Sequence, residues 1–551
     1  MALKASLRLF SFFSEELRPA LNNFVFRLPH PSLTSKSPTS SLTSTSTQPA
    51  KTRCPFHHRH QNPAAVAPYP VETPNYATGF PYQDIPSPKG LPLIGTTFNL
   101  LASGGAPKIH EYCDRRHKEL GNIYREKLGA VEAVFIADSE LIQRVYQNEG
   151  RYPLHMVPEP WIIYNEIKGI QRGLFFMDGP QWGNRRKSLN KVFRQQTVSS
   201  QAKVFNDVIS DLLNRWRSVR NKNMELKDLE RELYNWSIDS LGTMIFGRRL
   251  GCVMSDSRID NVHEFVHCVQ QIFIESAQMT MVPPRVAYLL KLPVWQRFIR
   301  AADRALELAR SYVEDNVKEI FSKAETGEPV EGVLSQMLLQ DKLREEEIVR
   351  IIADLFLAAA DTTSHATQWT LYMLARNPKC QERVAEEVNR VVPFGEVMKE
   401  EHLQHLPFLK AVIKETLRLY PVAPFLTRIL SKDIVLNGYE IPSGKLILMS
   451  LYTTGRDPKY FSDPDHFIPD RWLRNRDTHD VINTYACLPF GYGPRSCIGR
   501  RVAEIQMQLL LARTVQAFHI ESVNSREVGI TMRMITTPDE PIRLRLLNRN
   551  I

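Results

Sequence analysis

The chain has 551 residues, 43% of them apolar and 24% charged, an ordinary globular composition that excludes disordered and fibrous classes and allows a large buried core. The net charge of +10 is uneven: residues 1–70 hold eight Lys/Arg against only Glu15 and Glu16, and the remainder is too weakly basic to suggest a nucleic-acid partner. Seven cysteines, odd in number and scattered, point to a reducing compartment rather than a disulfide framework.

In chain order, residues 1–75 come first. "MALKASLRLF" and the Ser/Thr-rich stretch after it are basic and acid-poor, the composition of a mitochondrial transit peptide. The cluster Cys54, His57, His58 and His60 has metal-ligating residue types but lies in or beside this leader. "IPSPKGLPLIG" (85–95) reads as a stiff entry into a folded domain, and no linker or repeat follows, so residues 76–551 form one domain. No uninterrupted run of about 20 apolar residues occurs, so a spanning helix is not expected.

Short strand signals, "IYREKLG", "AVFIAD", "KDIVLNGYEIPSG" and "KLILMSL", are outnumbered by helical periodicity, giving a mainly α fold with small β sheets. One amphipathic helix runs from Asp303 to a stop at Gly327. A second, opening on Glu345–Glu347 and ending at Arg376 before Pro378, contains no internal Gly or Pro. At 1.5 Å per residue it is close to 50 Å long and must cross the interior. Mid-helix it carries "AAADTT" (358–363), polar groups that compete for backbone hydrogen bonds and favour a bend or bulge. "KETLR" sets Glu415 and Arg418 on one helix face, with Arg471 of "FIPDRW" as a third partner. Lys410 and Lys414, four apart, share another face.

"FGYGPRSCIG" (490–499) is the most informative stretch. Ser496 stands where a dinucleotide fingerprint needs its third glycine, and Cys487 and Cys497 have the wrong spacing for zinc. What remains is one cysteine in a Gly-rich loop opening a helix whose N-terminus favours thiolate. Gly491, Gly493 and Gly499 admit a flat ligand, and Arg495 offers charge for an acidic group on it. A thiolate axial ligand to haem iron fits these features.

This stretch resembles F-x-x-G-x-R-x-C-x-G, the haem-binding signature of the cytochrome P-450 family, with Phe490, Arg495 and Cys497 in the matching places. The resemblance implies the single-domain cytochrome P-450 fold and non-covalent haem b ligated by Cys497. It implies a structural triad of Glu415, Arg418 and Arg471. Trp182 and Arg186 of "WGNRR", and Arg428 of "PVAPFLTR", are implied partners of the haem propionates. Asp361 and Thr362 are implied to relay protons for oxygen activation, with Ala359 where many relatives have glycine. Lys410 and Lys414, with Arg500 and Arg501, resemble the mitochondrial class, which docks an adrenodoxin-like ferredoxin reduced by an NADPH-dependent reductase. "QMTMVPPRVAYLLKLPVW" (278–295) resembles the loop that covers the pocket and touches the inner membrane from the matrix side.

Segments such as "GGAPKIHEYCDRRHKELG", "QRGLFFMDGPQW" and "LYPVAPF" resemble the insect mitochondrial ecdysteroid 2-hydroxylases. That implies hydroxylation of 2-deoxyecdysone to ecdysone, with pocket residues expected in 154–175, 270–290 and near Phe356, Ala360 and Pro424. Another position or another sterol is the alternative. A haem-thiolate isomerase or a non-catalytic haem protein fits less well, because the acid–threonine pair and the cysteine loop are intact. "NWS" at Asn235 matches a glycosylation sequon that a mitochondrial protein would not use.

Overall fold

The structure, a computed structural model, describes residues 79–549 apart from 93, 130, 171–172, 194–200, 255–259, 280–281, 327–331, 340–344, 394 and 474–482. The expected leader, residues 1–75 with their Cys/His cluster, and the expected helix stop at Gly327 lie outside the described residues.

Two early strands, β1 (Ile123–Leu128) and β2 (Val131–Ile136), form an antiparallel pair. Helices then dominate: α1 (Glu159–Lys168), α2 (Gly179–Val192), α3 (Leu229–Phe246), α4 (Asp260–Gln278), α5 (Pro293–Thr326), α6 (Glu345–Arg376) and α7 (Pro407–Leu419). Four strands follow: β3 (Phe425–Ile429), β4 (Ile434–Leu436), β5 (Tyr439–Ile441) and β6 (Leu446–Ser450). Helix α8 (Arg500–Ala517) and strands β7 (Phe518–Ser522), β8 (Ile530–Arg533), β9 (Ile535–Pro538) and β10 (Leu544–Asn548) complete the chain.

The main sheet has the order β1-β2-β6-β3, with β2 and β6 parallel and the other pairs antiparallel. Both of its faces are covered: Ile123, Val134 and Ile136 enter one apolar cluster, while Tyr124, Ala133 and Phe135 enter another. That explains why "AVFIAD" is continuously apolar rather than alternating. "KDIVLNGYEIPSG" is not one strand but a hairpin, β4 to β5. Asn437 and Gly438 take φ of 50° and 83°, the left-handed pair that a two-residue turn between twisted strands requires.

Helix α6 crosses the main core as its length demands. Trp369, Leu371 and Leu374 are fully buried, and the Trp369 indole stacks 4.1 Å from the Tyr420 ring. It stays α-helical through "AAADTT", without the expected bulge. The hydroxyls bond back along the helix instead: Thr362 Oγ1 donates to Ala358 O at 2.7 Å, and Thr367 and Thr370 do likewise to Thr363 O and Ala366 O. Helix α5 begins at Pro293, ten residues before the expected start, because proline is tolerated in a first turn and "VWQRFIRAA" continues the apolar stripe. Strands β3 and β7–β10 were not anticipated. Asn235 is buried inside α3, which rules out glycan attachment in the folded chain. Among the described residues, no helix is long and apolar enough to cross a membrane.

Candidate haem-thiolate site

The cysteine loop is held by its own backbone. Cys497 N–H donates to Phe490 O at 2.8 Å and Ser496 N–H to Gly493 O at 3.1 Å, with Gly491 and Gly493 at φ of 67° and 73°. Gly493 has a purpose the sequence did not show: a Cβ there would lie 2.0 Å from Glu149 Oε1, so the glycine makes room for a buried carboxylate. Helix α8 starts three residues past Cys497.

The Cys497 thiol is reachable by a small probe yet surrounded by protein, so it faces an internal space and not bulk solvent. Burial pushes the thiol up; the Gly499 N–H and the Arg186 guanidinium only partly oppose this. The helix N-terminus alone therefore does not make the expected thiolate, because desolvation outweighs it. A coordinated metal cation would deprotonate the sulfur outright.

Three guanidiniums and one imidazole gather around this loop. Arg186 on α2 donates from Nη2 to Ser496 O at 2.5 Å, while its buried Nε has no hydrogen-bond partner among the described residues. Arg495 donates to Met177 O at 2.7 Å and Asp178 Oδ1 at 2.8 Å, and lies 4.2 Å over the Trp182 ring. Arg428 on β3 pairs with buried Glu149 at 2.5 Å and also donates to Thr427 O, so its fork is largely committed. His155 Nδ1 is buried without a hydrogen-bond partner among the described residues. Arg495 is pushed down to about 10, by burial first, Asp178 opposing and Arg428 and Arg186 adding repulsion.

Three cations face two carboxylates, with orphaned nitrogens on Arg186 and His155: the cradle lacks an anion. These residues, with the accessible sulfur, fit a flat acidic ligand carrying a metal ion. Trp182 lies under Arg495, and Arg428 is the third cation of the cradle, paired with Glu149. Glu149, Asp178 and His155 went unnoticed in the sequence. Of these only Glu149 left a trace, the need for glycine at 493.

Opposite chemistry lies on α6, which packs against α8. Ala358 is exposed in the middle of this core helix and Thr362, one turn on, is half-buried, so this face also borders an internal space. Asp361 is buried. Desolvation first, then the Glu230 charge, pushes its carboxyl up to about 7, with Arg533 opposing. His365 Nδ1 donates to Asp361 O at 2.8 Å, and its Nε2, without a hydrogen-bond partner among the described residues, lies 3.8 Å from Glu230 Oε1. Burial pushes His365 down to about 4, so it is neutral at pH 7.

A carboxyl raised in the folded state stabilises the fold at low pH and loses that contribution as pH rises through the folded value. Wild-type protein should therefore lose about 2 kcal/mol relative to Asp361→Asn between pH 5.5 and pH 8. Urea midpoints of the two proteins at both pH values check this; a constant difference would contradict a folded value near 7.

The expected triad is present and fully buried. Arg418 meets Glu415 through two bonds of 2.9 and 2.7 Å, Arg471 adds one at 3.1 Å, and Trp472 Nε1 donates to the same carboxylate at 2.8 Å. Lys414 is exposed, its amine 5.7 Å from the Trp472 ring centre, while Lys410 is half-buried and its amine is pushed down by desolvation. Arg500 pairs with Glu504 at 2.9 Å, and its guanidinium lies 5.5 Å from the Phe490 ring. Phe356 and Ala360, expected near the pocket, belong to the packed side of α6: Phe356 sits between Phe246 and Phe265. The stretches 154–175 and 270–290 do contribute to a cleft, through Trp161, Tyr164, Gly173 and Ile272.

The cytochrome P-450 family model matches residues 85–546. Cytochrome P-450 315a1, mitochondrial, of Drosophila melanogaster is 35% identical over 503 residues, 89% of this chain and 93% of that protein. Sterol 26-hydroxylase, mitochondrial, of Rattus norvegicus is 33% identical over 478 residues, 85% of this chain and 89% of that protein. Cholesterol side-chain cleavage enzyme, mitochondrial, of Oncorhynchus mykiss is 31% identical over 496 residues, 89% and 94% of the two chains.

Proposed function

Because the chain belongs to the cytochrome P-450 family, as a haem-thiolate monooxygenase of mitochondrial type, we propose that it hydroxylates carbon 2 of 2-deoxyecdysone to give ecdysone. The observation that carries the chemistry is the enclosed yet accessible Cys497 sulfur beside a cation-rich cradle. The substrate rests on the resemblance to ecdysteroid 2-hydroxylases. Relatives named for sterol 26-hydroxylation and for cholesterol side-chain cleavage, at 33% and 31% identity, favour another sterol position as the second reading.

Substrate C–H, dioxygen, two electrons and two protons give the alcohol and water. Haem b would be held by the Cys497 sulfur, with Arg186 and Arg495 available to pair with its acidic groups, and would supply the oxygen activation and the oxidising power. The chain supplies the rest. Thr362, on the accessible face of α6, holds a hydroxyl beside the reacting space. Asp361, with its carboxyl near 7, exchanges a proton at neutral pH, and His365 and Glu230 lie behind it.

Electrons come from an adrenodoxin-like ferredoxin, docked by exposed Lys414 with Lys410 and kept reduced by an NADPH-dependent reductase. The leader 1–75 directs the chain to the mitochondrion. The helix Pro284–Leu289 and the residue after it expose Tyr288, Leu289 and Leu290, with Leu289 71% exposed; this supports peripheral contact with the matrix face of the inner membrane and delivery of a lipid-soluble substrate.

Turnover of 2-deoxyecdysone with ferredoxin, its reductase and NADPH, read by mass spectrometry, tests the reading. A product one oxygen heavier that co-elutes with ecdysone is expected; intact thiolate-ligated haem without product sinks the substrate assignment. Asp361→Asn and Thr362→Ala should each lower product formed per NADPH consumed by about 10²-fold or more, because misdelivered protons waste the electrons. A product yield matching wild type in both would remove the pair from the relay.

A further inference from the structure

Glu149 stands two residues past the helix Ser139–Gln147, buried, and its carboxylate touches two segments far from it in sequence. Oε2 accepts from Arg428 Nε on β3 at 2.5 Å. Oε1 lies 2.0 Å from where a Gly493 Cβ would stand, so this oxygen rests against the backbone of the cysteine loop, four residues before Cys497. Arg428 completes the connection. Its Nη1 donates to Thr427 O at 2.8 Å, and its Nη2 to Tyr492 O at 3.4 Å, the loop residue beside Gly493. Tyr146, three residues before Glu149, covers the guanidinium, which lies 4.9 Å from its ring centre.

Net stability does not account for such a pair, because desolvation of both groups offsets their attraction. A carboxylate here does two things that an apolar residue of similar volume could not. It fixes the direction of the Arg428 fork, and with it the loop carbonyl at Tyr492. It also sets a negative charge in a water-poor region beside the cation cradle, within electrostatic reach of Arg495. Burial pushes the Glu149 carboxyl up, and the Arg428 and Arg495 cations oppose this. Arg428 stays protonated, so the carboxylate keeps a cation at hydrogen-bond distance. An electron added to iron above this loop is disfavoured by each nearby negative charge and favoured by each positive one.

We propose that Glu149 is a positioning residue: it locks Arg428 onto the cysteine loop and, through its charge, sets the reduction potential of the haem bound there. The role deepens the haem-thiolate reading and rests on it, but not on the choice of substrate.

The test is the reduction potential of purified, haem-loaded protein, read by spectroelectrochemistry without substrate or turnover. Haem per chain and the reduced carbon monoxide spectrum are measured beside it. Glu149→Gln keeps the shape and an acceptor for Arg428 but removes the charge. With haem content unchanged, it should raise the ratio of reduced to oxidised haem about tenfold, or about 59 mV for a one-electron couple. Glu149→Asp keeps the charge and should stay near the wild-type potential. Adding Arg428→Gln to Glu149→Gln restores the charge balance, so the double variant should fall back toward wild type, a non-additive result.

A potential that stays put or falls in Glu149→Gln, with haem intact, would overturn the proposal. Equal loss of haem in Glu149→Gln and Glu149→Asp would make the residue a packing brace and overturn it too. If Glu149→Gln loses the thiolate-ligated spectrum while Glu149→Asp keeps it, charge-dependent positioning of the loop stands. Wild-type protein without thiolate-ligated haem would sink the haem-thiolate reading and this role together. The expected shift in a protein that turns over no steroid would leave the role standing and remove only the substrate assignment.

Discussion

Cys497→Ser should yield protein whose reduced, carbon monoxide-treated form lacks the red-shifted absorption of thiolate-ligated haem, with turnover reduced by on the order of 10³ or more, each 1.4 kcal/mol of lost assistance being tenfold. The effect is large because serine keeps the loop but not the electron-rich sulfur. The Cys497 N–H to Phe490 O bond and the helix start at Arg500 do not involve the side chain, so the fold should survive. Haem content and the carbon monoxide spectrum of purified variant and wild type decide it. If the serine variant kept the wild-type spectrum, the ligand would have to be another cysteine. Cys487 is the near alternative in sequence, but burial pushes its thiol up to about 12. The remaining described cysteines are likewise free thiols, so none is locked in a disulfide.

Glu415→Ala should cost about 3–5 kcal/mol, the range for breaking a buried ion pair, and leave little soluble haem-loaded protein. Its carboxylate accepts from Arg418, Arg471, Trp472 Nε1 and the Ile468 N–H, all in the interior. Without it, two buried guanidiniums lose their counter-charge. Arg418 also donates to Gly455 O, Pro464 O and His466 O, so the carboxylate ties α7 to the whole 455–472 segment that precedes the cysteine loop. Glu415→Gln, which keeps the shape and some acceptors, should be milder. As a contrast, Arg500→Ala breaks a half-exposed pair with Glu504 and should change stability by no more than about 1 kcal/mol. Thermal midpoints and haem per chain rank the three; equal loss in Glu415→Ala and Arg500→Ala would refute the buried-network account.

The chain's own order of residues determined what depends on near neighbours. Helix α6 was legible to its ends because a 3.6-residue apolar period, three opening glutamates and a closing Asn-Pro are local signals. The cysteine loop was legible because glycine, arginine and cysteine at fixed spacings restrict a turn by themselves, and Glu415 with Arg418 because three residues span one helix face. The Asn437–Gly438 turn was equally local, although its two strands were read as one.

Tertiary structure alone decided what depends on residues distant in sequence. Arg428 meets Glu149 across 279 positions, and that carboxylate excludes a side chain at Gly493. Which side of α6 faces the internal space could not be read where apolar residues surround the helix, so Phe356 and Ala360 were assigned to the pocket while Ala358 was passed over. The charge state of Cys497 followed the same rule. The local helix terminus favours thiolate, but desolvation grows with every atom that packs around the sulfur, and those atoms come from segments whose approach no local pattern encodes.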